Sequence, residues 1–402
     1  MAVQIQLNTS DFDYFLNSQT FSEYRGITEH YGNLEQKRGW REQSIQIGIM
    51  PMKMSRLTHN ILAQPDSLSR VLQQQCGEGL TSLLLAASLL RSGKRVLITG
   101  IGASMFASIP LEYFLCSMGI DAVTIEAAEL LHYRHDAFRD AVAVVVSRSG
   151  ESIEIAKLLS ILKGRQPIIG ITNEPASVLS QEADVNLHIG SLPDEMVAIQ
   201  TYTGTLLTLH LLASAVTNTL DAAKDEIEAL RPDFSQLIAT NLDELEAWDA
   251  FLEAGSPLYL LARGPSYASA LEGALLFNEV AKAPAVGMPA ASFRHGPVEL
   301  VDHNFRGLIF APQGRTRDLN IALGRDLARF GGLVRVIGPS QESLPGMQWC
   351  NIQPVPETLA PLFEIVPIQF AALRMAQLRG IPAGSFRYTP QVATDEESFA
   401  PR

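Results

Sequence analysis

Cysteine is scarce in this sequence. The three present, Cys76, Cys116 and Cys350, are far apart and form no CxxC pair, which excludes a disulfide framework and a structural zinc and implies a reducing compartment. Charge is scarce as well, at 18 % of the residues, and the 29 glycines and 22 prolines in 402 residues fit neither a coiled coil nor a low-complexity disordered chain. Positive charge is the scarcer sign, 31 Lys and Arg against 43 Asp and Glu for a net −12 with no basic cluster, so a nucleic-acid partner is not expected. Apolar runs are short: the most apolar stretch, Leu80 to Leu90, falls well below the roughly twenty residues that span a bilayer. No membrane association is expected. The start, Met-Ala-Val-Gln-Ile-Gln-Leu, lacks a basic segment followed by an apolar one, so no signal peptide is read and a cytoplasmic location is expected.

A hydrophobic content of 47 % over this length supports two or three domains with separate cores. Residues 1–54 are rich in Gln, Asn and Tyr without a period of 3.6 or 2, predicting an irregular extension, within which Met52 and Met54 are possible alternative starts. Helical patterning begins at Ser55 and continues through Leu80–Leu90. Strands are then predicted at Arg95–Gly100, Val123–Glu126, Ala141–Val146, Pro167–Thr172 and Val185–Ile189, with helices at Ala107–Met118, Ile153–Leu162 and Thr203–Val216. Short strands that are apolar throughout and alternate with helices predict an α/β fold with a doubly wound parallel sheet.

After a charged helical segment from Asp221 to Trp248, the pattern repeats. Leu258–Gly264 echoes Val96–Gly102, Arg306–Gly314 echoes Ala141–Gly150, and Leu333–Gly338 echoes Pro167–Thr172, at separations of 162 to 166 residues. A constant separation across three landmarks indicates a tandem duplication. The predicted organisation is an extension over 1–54, a first domain over 55–225, a linker helix and second domain over 226–384, and a tail over 385–402.

The richest chemistry lies in Ser147-Arg148-Ser149-Gly150-Glu151-Ser152, a strand end that opens a helix. Hydroxyls and backbone N–H groups gathered at a helix N-terminus make an anion site. Gly100-Ile-Gly102-Ala-Ser104 follows the preceding strand, and ligands in open α/β sheets sit beyond the carboxyl ends of the strands. Neither GxGxxG nor GxxxxGK[ST] is complete, which favours a phosphorylated small molecule over a nucleotide. The same serines also read as ordinary helix caps. In the second block, Glu272 and Glu279 are seven residues apart on one helix, and His295 follows in Ser292-Phe-Arg-His295-Gly-Pro. A carboxylate and an imidazole can exchange protons with a substrate at neutral pH. A solvated glutamate and a loop histidine that caps the backbone read equally well from these residues alone.

Taken together, GIGAS, SRSGES, LEGALLFNE, RHGP and the closing stretch PLFEIVPIQF resemble the sugar isomerase (SIS) domain family, specifically the tandem isomerase half of glucosamine-6-phosphate synthase, over residue 55 to the end. The resemblance implies two tandem SIS domains. It implies sugar-phosphate binding by Ser104, Ser147, Arg148, Ser149 and Ser152, and a backbone contact to the sugar at Val197. Glu279 matches the family's C1–C2 proton shuttle. His295 matches the ring-opening histidine, which acts in the neighbouring subunit, so a homodimer is implied. No metal or organic cofactor is expected.

Two departures shape the functional expectation. The extension before residue 55 is too short for a glutaminase domain and position 2 is alanine, so glutamine-dependent synthesis is not expected. The family's Schiff-base lysine aligns with Gln391, whose amide cannot form an imine. The expected activity is aldose–ketose isomerisation coupled to deamination of an amino hexose 6-phosphate. Deglycation of a fructosamine 6-phosphate and non-catalytic sugar-phosphate sensing are the alternatives.

Overall fold

The computed structural model describes residues 55–253, 258–340, 345–388 and 392–397. The predicted extension and Gln391 lie outside the described residues. Helices α1 (Arg56–Leu62), α2 (Gln64–Cys76) and α3 (Leu80–Ser92) precede the first sheet. Its strands are β1 (Arg95–Gly100), β2 (Asp121–Glu126), β3 (Val142–Val146), β4 (Ile168–Thr172) and β5 (Val185–His188). Between them run α4 (Ala103–Ser117), α5 (Ile153–Leu162) and α6 (Val178–Glu182), and α7 (Gln200–Val216) closes the half. The long α8 (Leu220–Asp243) and the short α9 (Asp249–Glu253) lead into the second half. There β6 (Leu258–Ala262), α10 (Tyr267–Ala281), β7 (Ala285–Pro289), α11 (Ala290–Phe293), β8 (Arg306–Phe310), α12 (Arg317–Arg329), β9 (Leu333–Gly338), β10 (Met347–Asn351) and α13 (Ala360–Leu378) follow in order.

Both sheets are five-stranded and parallel, ordered β2-β1-β3-β4-β5 and β7-β6-β8-β9-β10. The two orders are the same permutation, as a duplication requires. The central strands β3, β4 and β8 are buried at every residue, because helices cover both faces and neither face needs polar residues. The edge strands β7 and β10 are half exposed. They carry Gly287, Pro289 and Asn351, and no apolar run marked them in the sequence. Pro289 is tolerated because β7 is an edge and ends there.

One continuous core joins the halves. It includes Leu111 of α4, Leu207 of α7, Phe277 of α10 and Phe370 of α13, and each such side chain contributes about 1.5–3 kcal/mol on burial. Smaller cores cover the outer faces, around Leu158 and Val145 in the first half and Phe293 and Phe305 in the second. The charged segment read as one helix is α8 followed by a separate 3-10 turn at Leu245–Trp248.

Candidate active site

The strand order reverses direction between β1 and β3, and at such a switch point the two following connections diverge and leave a crevice. The Gly100–Ser104 turn after β1 and the Ser147–Ser152 loop after β3 both open onto it. Gly102, the residue before α4, has φ +52° and ψ −128°, a conformation that glycine adopts readily and other residues do not. Gly150 has φ +63° and packs directly on Ser177 and Leu179.

The loop is held from behind by hydrogen bonds. The Arg148 carbonyl accepts from Asn173 N at 3.0 Å and from the Thr172 hydroxyl at 3.0 Å, and the Gly150 carbonyl accepts from Leu179 N at 3.2 Å. Ser147 Oγ accepts from Gly150 N at 3.1 Å and Ser149 Oγ accepts from Glu151 N at 3.3 Å, which leaves each hydroxyl proton to donate forward. Ser152 is the residue before α5, yet its side chain makes no capping bond. The capping interpretation therefore fails at Ser152. The leading amide of α5 is not open to a ligand, because Ile153 N donates to Ala393 O at 3.1 Å.

A cavity of about 370 Å³ occupies the crevice. Ser104, Ser147, Arg148, Ser149 and Ser152 line one side, and Glu279 and Leu275 of α10 reach it from the second half. Met196, Ala198, Phe386, Val392 and Ala393 add an apolar side, and Glu154 and Ile155 of α5 also line the cavity, with one Glu154 carboxyl oxygen buried and without a partner among the described residues. Val197 does not line it. Its side chain is buried, beside Gly384, while its neighbours Met196 and Ala198 face the cavity and Arg148 Nη1 donates to Met196 O at 3.3 Å. His295 is exposed, beyond the end of α11, and is not among the residues lining this chain's cavity.

Glu279 is half-buried. Burial raises its carboxyl from the ordinary 4.5 to about 7, against the opposing pull of the Lys282 and Arg148 cations. Near neutrality the group can both take and return a proton. Glu272, two turns earlier on the same helix, has a different place: it is 1 % exposed, one carboxyl oxygen has no partner among the described residues, and burial followed by the Glu279 and Asp194 charges pushes its carboxyl well above the usual range. Of these two glutamates Glu279 reaches the cavity, whose wall also carries Glu154 of α5.

The duplicate crevice in the second half has lost this chemistry. At the position of the SRSGES loop, immediately before α12, stands Ala311-Pro312-Gln313-Gly314-Arg315-Thr316. The Glu357 side chain packs there, accepting from Arg315 N at 3.4 Å, and a Cβ on Gly314 would lie 2.4 Å from its carboxyl carbon.

The residues that sequence reasoning missed include Glu154 of α5, Met196, Ala198, Leu275 and the segments around Phe386 and Val392–Ala393. Apart from Glu154 they are apolar and unremarkable by composition, and only their tertiary placement marks them. Among the described residues no cluster of His, Cys, Asp and Glu could hold a metal ion, and no helix is long and apolar enough to cross a membrane.

The family profile described as SIS domain matches residues 89–215 and 252–379. A glutamine–fructose-6-phosphate aminotransferase (isomerizing) of Pyrococcus horikoshii is 28 % identical over 302 residues, covering 73 % of this chain and 50 % of its own length. The chain spans about half to two thirds of the length of such curated relatives. Among solved structures, the C-terminal domain of glucosamine-fructose-6-phosphate aminotransferase from Francisella tularensis superposes with a TM-score of 0.72 at 22 % identity, covering 81 % of this chain and 96 % of that one. Glucosamine-6-phosphate deaminase from Thermotoga maritima superposes with a TM-score of 0.67 at 20 % identity, covering 84 % and 99 %.

Proposed function

We propose, from the premise that this chain belongs to the SIS domain family, that it is an enzyme acting on an amino-substituted hexose 6-phosphate by isomerisation coupled to deamination. The observation that carries this reading is a carboxyl poised near pH 7, Glu279, in the same cavity as the hydroxyl-rich Ser147–Ser152 loop. The loop suits a phosphate, because its hydroxyls and the Arg148 guanidinium offer donors to several oxygens at once. The names of two of the structural neighbours, a glucosamine-fructose-6-phosphate aminotransferase and a glucosamine-6-phosphate deaminase, support the substrate class.

In the open-chain substrate Glu279 takes the C2 proton and returns it to C1, while the C1 oxygen gains a proton. The carbon skeleton becomes a C2 imine. Water then adds at C2, ammonia leaves, and fructose 6-phosphate remains. These steps need a base, an acid and a carbonyl, and no cofactor enters the scheme.

The sequence lends weight to a second reading. With Gln391 where the family lysine is expected, covalent carbonyl capture at that position is lost, and a substrate that already carries nitrogen needs none. A fructosamine 6-phosphate fits: proton removal at C1 and return at C2 give a C1 imine, which water splits into glucose 6-phosphate and the free amine.

His295 is the proposed acid that opens the sugar ring. Its exposed position away from the cavity supports a homodimer in which a second copy supplies it. Glutamine is not proposed as the nitrogen source. A reducing cytoplasmic setting suits cysteines that are all free.

The test offers purified protein glucosamine 6-phosphate and, separately, a 6-phosphorylated fructosamine, and follows released ammonia or amine beside Glu279→Gln. Release from one substrate, reduced about a hundredfold to ten-thousandfold in the variant, is expected. Binding of both sugar phosphates without release from either would overturn the enzymatic reading in favour of a sensor. Mixing Glu279→Gln with His295→Ala protein should restore activity through hybrid dimers.

A further inference from the structure

Lys282 stands at the C-terminal end of α10, three residues after Glu279. It is one of two non-glycine residues with positive φ among those described, at φ +51° and ψ +36°. Glycine fits this left-handed position at a helix end with less strain than any side chain. A lysine there keeps a backbone conformation that its own β-carbon disfavours, and such strain marks positions where the side chain has work to do.

The side chain reaches three partners. Its ammonium donates to the Glu279 carbonyl, capping the last turn of the helix, and to the Ser385 carbonyl of the segment beyond α13. It also lies 5.6 Å from the centroid of the Phe386 ring, a favourable cation–π placement. Phe386 and Glu279 both line the cavity. One cation therefore joins the helix that carries the proposed base to a segment that walls the same cavity.

We propose that Lys282 is a positioning residue: it fastens the Ser385–Phe386 segment to the Glu279 helix and supplies the positive charge that keeps Glu279 available as a base. This rests on the reading of Glu279 as the proton shuttle. The other charged groups facing this site are Arg148 and Glu154 from the first half, Glu272 on the same helix and Arg387 beside Lys282 itself. Burial and Arg387 draw the lysine down from its ordinary value while Glu279 supports it, so the pair are mutual partners.

The test compares the parent with Lys282→Gly and Lys282→Arg. Glycine relieves the backbone but removes all three side-chain contacts, so the Tm of Lys282→Gly reports the fastening, while the pH profile, which a merely structural role would not move, reports the charge. The acidic limb of its kcat/KM profile should move up by about one unit, the low end of what removing a neighbouring opposite charge does, with kcat/KM at pH 6 falling about tenfold. Lys282→Arg should return the limb towards that of the parent.

A second readout needs no substrate. Because Glu279 has a raised value in the folded state, its contribution to stability falls as pH rises from about 4.5 to about 7. The difference in Tm between parent and Glu279→Gln should fall over that window, and in the Lys282→Gly background it should go on falling about one unit further. An unmoved limb or an unmoved thermal window would overturn the role of Lys282 and leave the function standing. If Glu279→Gln instead retains full turnover, the functional reading fails, and the thermal comparison still decides whether Lys282 governs Glu279.

Discussion

Substituting Gly150 by alanine puts the geometry of the anion loop to a quantitative test. Gly150 has φ +63°, and the left-handed conformation costs a residue with a β-carbon about 1–2 kcal/mol. The added methyl would stand 2.2 Å from Ser177 Oγ, 2.6 Å from Ser177 Cβ and 3.1 Å from Leu179 Cβ. Ser177 cannot turn away freely. It caps α6, its hydroxyl donating to Glu174 O at 2.7 Å and accepting from Ser180 N at 3.3 Å. Forcing a methyl into such a site costs about a further 1–3 kcal/mol. The sum is about 2–5 kcal/mol, or about 2–6 °C in Tm for a chain of this size. Thermal melting followed by circular dichroism measures the first effect. Calorimetric titration with glucosamine 6-phosphate measures the second, expected as at least a tenfold loss of affinity, about 1.4 kcal/mol. Ser177→Gly added to Gly150→Ala removes the Ser177 contacts but not the backbone cost, so it should recover only part of the loss. A Gly150→Ala protein that melts within about 1 °C of the parent and binds as tightly would refute the account of the loop.

Two further expectations concern the interior. His210 of α7 is half-buried, its Nε2 shielded from solvent and unpartnered among the described residues, and burial lowers its imidazole from 6.5 to about 4. Because the folded value lies below the unfolded one, this contribution is present above pH 6.5 and is lost as pH falls towards 4. It is worth about 3 kcal/mol in all. Urea titrations from pH 7 to pH 4.5 should show a steeper loss of stability in the parent than in His210→Leu, and equal slopes would show that the imidazole is not shielded from water. The Asp194 carboxylate accepts from Ile199 N at 2.9 Å, Gln200 N at 2.9 Å, Thr201 N at 2.8 Å and Thr201 Oγ1 at 2.6 Å. Asp194→Asn replaces one acceptor oxygen by a donor facing donors, so it should cost about 1–3 kcal/mol in the same titrations, and a neutral result would mean that the start of α7 needs no anion.

Much of the fold was legible from local pattern. Strand β1 and helix α5 appear with the predicted ends, because an apolar run bounded by Gly or Ser carries its own limits. The edge strands β7 and β10 were not legible: Ala-Val-Gly-Met-Pro and Met-Gln-Trp-Cys-Asn become strands by pairing with β6 and β9, a non-local act. Helix α4 begins at Ala103 rather than at Ala107 because Gly102 turns the chain immediately after β1.

What the sequence determined by itself was therefore the duplicated α/β pattern and the two loops, since strand periodicity, glycine turns and hydroxyl-rich helix starts are properties of a few adjacent residues. Which of the two α10 carboxylates meets those loops was not in the residue pattern: the resemblance pointed to Glu279, and the tertiary structure supplies the physical reason. Glu272 and Glu279 share a helix and look alike in the sequence, yet packing of α10 against α13 and α4 buries the first and leaves the second at the cavity wall. The tertiary structure also placed the Glu357 side chain against Gly314 in the loop of the second half that corresponds to the anion loop of the first. The physical reason is the same in each case: burial, and the pKa that follows from it, is set by atoms far away in the chain.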